Sequence, residues 1–412
     1  MTSIEDARVV ASRLTDCYDA DNHMREPIDA FTKYMEPRYR ERGWRLERGS
    51  DGEQTLWVGA KPLDQDFDVM AIPGSFRNNL RRLRAGESID PFVGDVGPVL
   101  PEYVDRDARL AVMDGQGVRA CLMFPSVAVA KIEDYEDPSD PEQSYANLRA
   151  VNRYLGGEWG WAYKDRIFTA ANLSLLDLGM GLAELDRLLA DGVRVVNLVP
   201  GPINRMSPAD PTFDPFWARI NESRTLVTFH TAPASGRAYG QMLAGWWEPT
   251  DVNYQRKKLV SGTTSAFMGF QTFNERPIMD TVAALILHNL FGRFPNVRVI
   301  SVENGTFWVP FTVKLLNKSV AINQGGFWLG GRPERRVSAI FRDHVFVTPF
   351  HEENVQGIVD AVGADCVLFG SDFPHAEGLA HPVADYLEDL EVSDPVSVVK
   401  IMRDNLKGLL AP

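Results

Sequence analysis

Cys366-Val367-Leu368-Phe369-Gly370-Ser371-Asp372-Phe373-Pro374-His375 passes from a short apolar run, through a Gly-Ser step, into an acid and an imidazole. So short a run suits a strand buried on both faces better than a helix. The same form recurs upstream. Thr228-Phe229-His230 ends one apolar run, Ser301-Val302-Glu303-Asn304-Gly305 ends another, and Tyr18-Asp19-Ala20-Asp21-Asn22-His23 ends a more polar one. Asp21 and His23 stand two apart, so in a strand they point the same way. A fold that gathers strand ends at one rim would bring all of these donors together.

Working outward from these four, eight strands are expected, at residues 16–21, 118–124, 167–173, 193–198, 225–230, 297–302, 345–347 and 366–370. Helical patterning lies between them, clearest at 146–154, 179–189 and 279–291. This alternation predicts an α/β fold, a distorted (β/α)8 TIM barrel forming a single domain over residues 1–412, with its catalytic face at the strand C-termini. A doubly wound sheet is the rival, but no Gly-x-Gly-x-x-Gly follows the first strand. Two segments interrupt the repeat. Residues 26–114, with Pro, Gly and charge, form an insertion after strand 1 that is expected to hold a helical excursion. Residues 232–276 form an aromatic-rich insertion after strand 5, with Trp246, Trp247, Tyr254, Phe267, Phe270 and Phe273. It reads as a lid or apolar substrate wall, or else as subunit packing. On the first reading Trp246, Trp247 and Phe267 touch substrate.

Composition narrows the function. Apolar residues at 44% and charged residues at 24% supply a large core and exclude a mostly disordered chain. A formal net charge of −13 repels phosphate, so neither nucleic acid nor an anionic membrane is an expected partner. The basic runs around Arg77 to Arg84 and Arg256-Lys257-Lys258 are short and read as solvated faces. Cys17, Cys121 and Cys366 lack Cys-x-x-Cys spacing, so no disulfide framework or thiolate zinc site is indicated. No apolar stretch reaches the roughly 18 residues of a membrane span, and the N-terminal residues lack a signal-peptide pattern. The expectation is a cytoplasmic enzyme with a small-molecule substrate, assembled as a homo-oligomer.

Asp21, His23, His230, Glu303 and Asp372 are nitrogen and oxygen donors at four strand ends, a set suited to Zn, Fe, Mn or a similar ion. Each alone has an ordinary explanation; an Asp after Gly-Ser can cap a helix, for instance. Their shared position at strand ends is the signal. His351, just past strand 7, is a candidate further ligand or proton shuttle, and His375 a candidate neighbour of the ligands or a packing residue. His288 reads as core or helix surface, and His344 and His381 as surface residues. Arg205 and Arg237, in loops after strands 4 and 5, are candidates to hold a substrate carboxylate, with solvent exposure the alternative.

The chain resembles the amidohydrolase superfamily, specifically the amidohydrolase-2 group that includes aminocarboxymuconate-semialdehyde decarboxylase and related aromatic-acid decarboxylases. The resemblance rests on Asp19-Ala20-Asp21-Asn22-His23 with Glu26-Pro27, on Thr228-Phe229-His230, on Phe294-Pro295-Asn296-Val297-Arg298 leading into Val302-Glu303-Asn304-Gly305, and on Gly370-Ser371-Asp372-Phe373-Pro374-His375. It implies a distorted barrel with one or two divalent metals, Zn or Fe. Carried across, the strand-one His-x-His becomes Asp21-x-His23, His230 is the strand-five histidine, and Asp372 is the aspartate that binds metal and relays the proton. Glu303 stands at or near the place of the strand-six histidine. Strand 4 ends Asn197-Leu198, with no lysine to carboxylate and no glutamate to bridge metals.

The reading that follows is a metal-dependent enzyme acting by hydrolysis or non-oxidative decarboxylation on a partly apolar carboxylate-type molecule, with Asp372, His230 and Glu303 carrying the chemistry. The departures open an alternative. Three carboxylates against one or two dications favour a harder ion and a higher oxidation state. In this the chain resembles a non-heme diiron monooxygenase type on the same fold, associated with diterpenoid biosynthesis, which would hydroxylate an apolar substrate such as a terpenoid.

Overall fold

The computed structural model describes residues 14–49, 52, 54–63, 67–88, 96–130, 137, 139–231 and 275–411. Seven strands form one parallel sheet in chain order: β1 (Cys17–Met24), β2 (Val118–Pro125), β3 (Ile167–Asn172), β4 (Val195–Leu198), β5 (Leu226–His230), β6 (Val299–Val302) and β7 (Val345–Val347). The eighth expected run, 366–370, is not a regular strand, because a 3-10 turn holds Ala364–Cys366 and the chain behind it touches each neighbour only briefly. It still closes the ring. Val367 bridges Val347, Phe373 bridges Asn22, and the amides of Leu368 and Ala20 donate to Val347 and Phe369 at 2.9 and 2.8 Å. The architecture is a distorted TIM barrel, as the strand–helix alternation implies.

The central strands are almost wholly buried and rich in Val, Ile, Leu and Phe, which is what burial on both faces selects. β1 is the exception, for Asp19, Asp21, Asn22 and His23 are all buried in it. It runs past the expected end at Asp21 because pairing with β2 continues to Met24 opposite Pro125, across a register shift between Asp19 and Asn22. Its polar groups survive burial because partners meet them. Asp19 accepts from the Asp21 amide, Asn22 Nδ2, the Ser371 amide and Ser371 Oγ at 2.5–3.1 Å. Arg109, fully buried, donates to Asn22 Oδ1, to the His23 carbonyl at 2.7 Å and to the Glu102 carbonyl at 2.7 Å.

The longer helices are α1 (Ser75–Arg84), α2 (Arg106–Gln116), α3 (Pro141–Tyr154), α4 (Leu178–Ala190), α5 (Asp214–Ser223), α6 (Arg276–Leu287), α7 (Trp308–Ile322), α8 (Val337–His344), α9 (Val355–Val362) and α10 (Pro382–Asp389), and a short one at Leu290–Arg293 follows α6. Asp105, Asp140, Asp177 and Asn354 cap α2, α3, α4 and α9 through side-chain oxygens. The helix expected over 279–291 is two, because Asn289 takes the left-handed conformation (φ 55°) that its short amide tolerates. Among the described residues no helix is long and apolar enough to cross a membrane.

The segment after β1 holds more than the expected helical excursion. Trp44–Arg48, Gln54–Val58 and Lys61–Pro62 form an antiparallel sheet, and Val69–Ala71 pairs with Val96–Pro98, the two strands that flank helix α1 in sequence. The aromatic-rich insertion after β5 lies outside the described residues up to residue 274, and with it Arg237, Trp246, Trp247 and Phe267.

Candidate metal centre

The C-terminal ends of β1, β5 and β6 and the turn after residue 370 put their donors at one point. His23 Nε2 lies 3.1 Å from His230 Nε2, 3.3 Å from Asp21 Oδ1 and 3.4 Å from Asp372 Oδ1. His230 Nε2 lies 3.6 Å from Asp21 Oδ1 and 3.4 Å from Glu303 Oε2. Ligand atoms held about 2.1 Å from a tetrahedral ion stand about 3.4 Å apart, so these spacings match a shared ion. A carboxylate oxygen and a ring nitrogen there lack any hydrogen-bond partner, although buried: Asp21 Oδ1 and His23 Nδ1. His230 Nδ1 must donate to the Thr231 carbonyl, 2.6 Å away, which leaves its Nε2 lone pair facing the group. By donor chemistry, spacing and orphaned atoms, the residues fit a divalent ion.

Local structure explains the aim of each side chain. Asn197 on β4 accepts from the His230 amide at 3.1 Å and from Thr228 Oγ1 at 3.0 Å, and donates to Asn172 Oδ1 at 3.4 Å. The strand that lacks a bridging lysine thus supports the β5 histidine instead. Glu303 and Asp372 both adopt left-handed backbone, φ 55° and 53°, which turns their carboxylates back over the rim. The Glu303 amide donates to Thr348 Oγ1 at 3.1 Å. Gly370 lies so close to the barrel axis that a Cβ there would stand 3.0 Å from Asp21 Cβ and 3.2 Å from Thr348 Cβ.

Burial and charge set the protonation states. Burial pushes Glu303 well above the carboxylate range, and the negative charges of Asp372 and Asp21 push the same way. Burial raises Asp372 too, reinforced by Asp21 and Glu377. Asp21 goes the other way: burial would raise it, but the His23 and His230 imidazoles hold it below its ordinary value. Burial and the neighbouring His375 keep His23 neutral. Carboxylates crowded this closely are stable together only if protonated or offset by a cation.

The structure sorts the remaining candidates. His375 joins the group: its Nδ1 lies 2.6 Å from Asp372 Oδ1, its ring packs at a 36° tilt against that of His23 with centroids 4.0 Å apart, and its Nε2 meets Ser126 Oγ at 2.9 Å. His351 does not; it bonds Asp389 at 3.1 Å, faces Glu352 at 3.4 Å and lines the cavity beside the group. Arg205 is exposed on a left-handed turn (φ 69°) and is not among the residues that wall the cavity. His344 is buried, not superficial as its sequence context suggests, because it stacks on Phe291 and bonds the Val297 carbonyl at 2.9 Å. His288 bonds Ser207 Oγ at 2.8 Å.

A cavity of about 260 Å³ opens onto the donors and is walled by Phe76, Leu80, Phe350 and Leu379, with Asp21, Glu303, Asp372 and Glu377 at its polar end. Sequence reading misses Glu377, which forms a three-carboxylate group with Glu303 and Asp372. Its position two residues past His375 was the available signal. It also misses α1 as a wall, since nothing local in residues 75–84 says where that helix docks.

A family model described as "Amidohydrolase" matches residues 67–405. Among solved structures the chain is similar to an amidohydrolase from Mycobacterium avium subsp. paratuberculosis K-10, at 29% identity over 96% of this chain and 99% of that one, TM-score 0.79. It shares its fold with 5-carboxyvanillate decarboxylase from Sphingomonas paucimobilis, at 16% identity over 96% and 98% of the two chains, TM-score 0.58. A dihydroxybenzoic acid decarboxylase from Polaromonas sp. JS666, solved with bound manganese and the inhibitor 2-nitroresorcinol, shares it at 15% identity over 96% of each chain, TM-score 0.55. No curated protein matches the sequence.

Proposed function

The chain belongs to the amidohydrolase family, and within it we propose a divalent-metal-dependent enzyme that acts by hydrolysis or non-oxidative decarboxylation on a partly apolar, carboxylate-type small molecule. The observation that carries this reading is the convergence of Asp21, His23, His230 and Glu303 from three strand ends on one buried point. When bound, a divalent ion supplies Lewis-acid polarisation of a substrate or water oxygen. Asp372, in contact with His23 and His375, moves the proton at Oδ1, with His375 Nδ1 as the next station and Ser126 fixing the far side of that ring. Phe76, Leu80, Phe350 and Leu379 exclude water and face the apolar part of the substrate. Five carboxylates (Asp21, Glu303, Glu352, Asp372 and Glu377) line the cavity against the guanidinium of Arg77, so an anionic substrate enters only once their charge is offset. The manganese in the Polaromonas decarboxylase and the aromatic acids named for the two decarboxylases support this class of ion and substrate.

The test is turnover of a panel of hydroxybenzoates and carboxylic esters by protein loaded with Mn, Zn or Fe(II). We expect CO₂ release or ester cleavage that Asp372→Asn lowers by about 10²-fold or more. No turnover with any ion would oppose the reading.

One observation favours a second reading. Glu303, Asp372 and Glu377 form a further donor group that shares Glu303 with the first. A set of that kind suits two ions, and with iron it suits a diiron oxygenase acting on an apolar substrate. Two irons per chain, with dioxygen consumed only in the presence of substrate, would replace the first reading. Product formed without dioxygen retains it.

A further inference from the structure

The basic run on α1 takes no part in the metal centre, yet it borders a second cleft. Arg77, Arg81 and Arg84 recur at spacings of four and three, so they share one side of the helix. All three line a space of about 300 Å³ that adjoins the cavity opening onto the donors. Arg77, Leu80, His351 and Glu352 face both spaces, so their side chains form the partition between them. Polar contacts join three of the four. Asp389 accepts from Arg77 Nε at 2.7 Å and meets His351 Nδ1 at 3.1 Å, and His351 Nε2 lies 3.4 Å from Glu352. The two ends of this fence are held unequally. Arg77 is buried and donates further to Asp385, to its carbonyl and to Glu388. His351 has only its two contacts among the described residues, and one of them, the Glu352 side chain, is 38% exposed.

We propose that the two spaces are one substrate site, joined when the His351 ring swings aside, and that the cleft binds the hydroxyl-bearing far end of an elongated substrate whose acid end meets the metal centre. This rests on the reading of a carboxylate-type substrate at that centre and extends it in length. Volume supports it. The cavity alone, about 260 Å³, falls short of the roughly 300–1,000 Å³ of ligand pockets, whereas cavity and cleft together lie within that range. The order of surfaces supports it too. The donors come first, then the apolar wall of Phe76 and Leu80, then the polar cleft, a sequence that matches acid, apolar body and polar end. The chemistry of the cleft selects the hydroxyl. Arg84 and Glu391 are exposed and line it with no hydrogen bond or ion pair to another described residue. A hydroxyl accepts from a guanidinium and donates to a carboxylate at once, whereas a charged end of either sign suits one and is repelled by the other. His351 is thereby a specificity-determining residue, set where the length of the substrate is read.

Calorimetric titration of the Mn-loaded full chain with two benzoates tests this. One carries a para hydroxyhexyloxy chain and the other a para heptyloxy chain, so they match in length and differ at the terminal group. The readout is the ratio of their dissociation constants within each protein. In the wild type the hydroxyl-ended probe is expected to bind about 10-fold tighter. Arg84→Ala/Glu391→Ala, which changes two exposed side chains, should bring the ratio to about one. His351→Trp, which blocks the junction, should do the same. A wild-type ratio near one, a ratio that either variant leaves unchanged, or no binding by either probe overturns the proposal. Binding that is indifferent to Mn, with the hydroxyl preference and its loss in the double variant intact, would overturn the metal-bound acid alone and leave the cleft assignment standing.

Discussion

Asp21 keeps its charge where water does not reach, because two imidazoles face it, and that makes it the anionic anchor of the donor group. Ser126 is of a different kind. It touches none of the four converging donors, but its Oγ bonds the Met24 carbonyl at 2.7 Å and His375 Nε2 at 2.9 Å, and so fixes the ring that backs Asp372. Ser126→Ala should lower kcat by about 10-fold, the cost of losing an outer partner, with KM and metal content unchanged. Loss of metal in that variant would show that Ser126 shapes the centre itself. This contrast also marks what single residues reveal in sequence. Asp21, His23, His230 and Asp372 are legible because an acid or imidazole at a strand end is a local pattern. Ser126 is not, because its meaning depends on a residue 249 positions away.

Helix α1 is held to the barrel chiefly by the buried Arg77, with the more exposed Arg81 reaching Glu388 and Asp389 at 3.1 Å beside it. Arg77, buried, meets Asp385 at 3.2 Å, Glu388 at 2.9 Å and Asp389 at 2.7 Å on α10, while its neighbours Phe76 and Leu80 form the cavity wall. Read alone, the basic run around Arg77 is a solvated face; the acids that bury it lie about 310 residues on. Arg77→Ala strands those carboxylates and should cost about 3 kcal/mol in chemical denaturation, and Arg77→Lys should recover only part, since an ammonium lacks the planar fork. An unchanged midpoint would mean the network is solvated. The β6–α7 loop carries a second signature. Glu353 accepts from the Thr306 amide at 2.9 Å and from its hydroxyl, and Glu275 accepts from the Phe307 amide at 3.2 Å. Burial raises Glu353 from 4.5 to about 6 and Glu275 from 4.5 to about 7. Through these two carboxyls the folded chain binds more protons than the unfolded chain from about pH 4.5 to about pH 7, and their contribution to stability falls as pH rises across that window. In Glu275→Gln the drop in Tm across this window should be smaller than in wild type. An equal drop would remove Glu275 as a source of it.

At the scale of the molecule, the ring of strands and the rim that carries the chemistry are legible in sequence because barrel strands are short, apolar and buried on both faces. The excursion after β1 is not, since its small antiparallel sheets alternate too briefly to be told from loop, and β1 itself looks polar because its polar groups are paired only once the ring closes. The closed rim concentrates negative charge, and an ion that binds only the folded chain should stabilise it. At about 100 times its dissociation constant such an ion adds ~2.7 kcal/mol, so chelation should lower Tm and Mn or Zn restore it. A Tm indifferent to chelator would argue that the carboxylates stay protonated. Elemental analysis of anaerobically purified protein, wild type beside His230→Ala, tests the central claim most directly. The account predicts at least one divalent ion per chain in the wild type and loss of at least one equivalent in the variant, with the fold intact. A wild type that takes up no metal, or a variant that keeps all of it, would contradict the account.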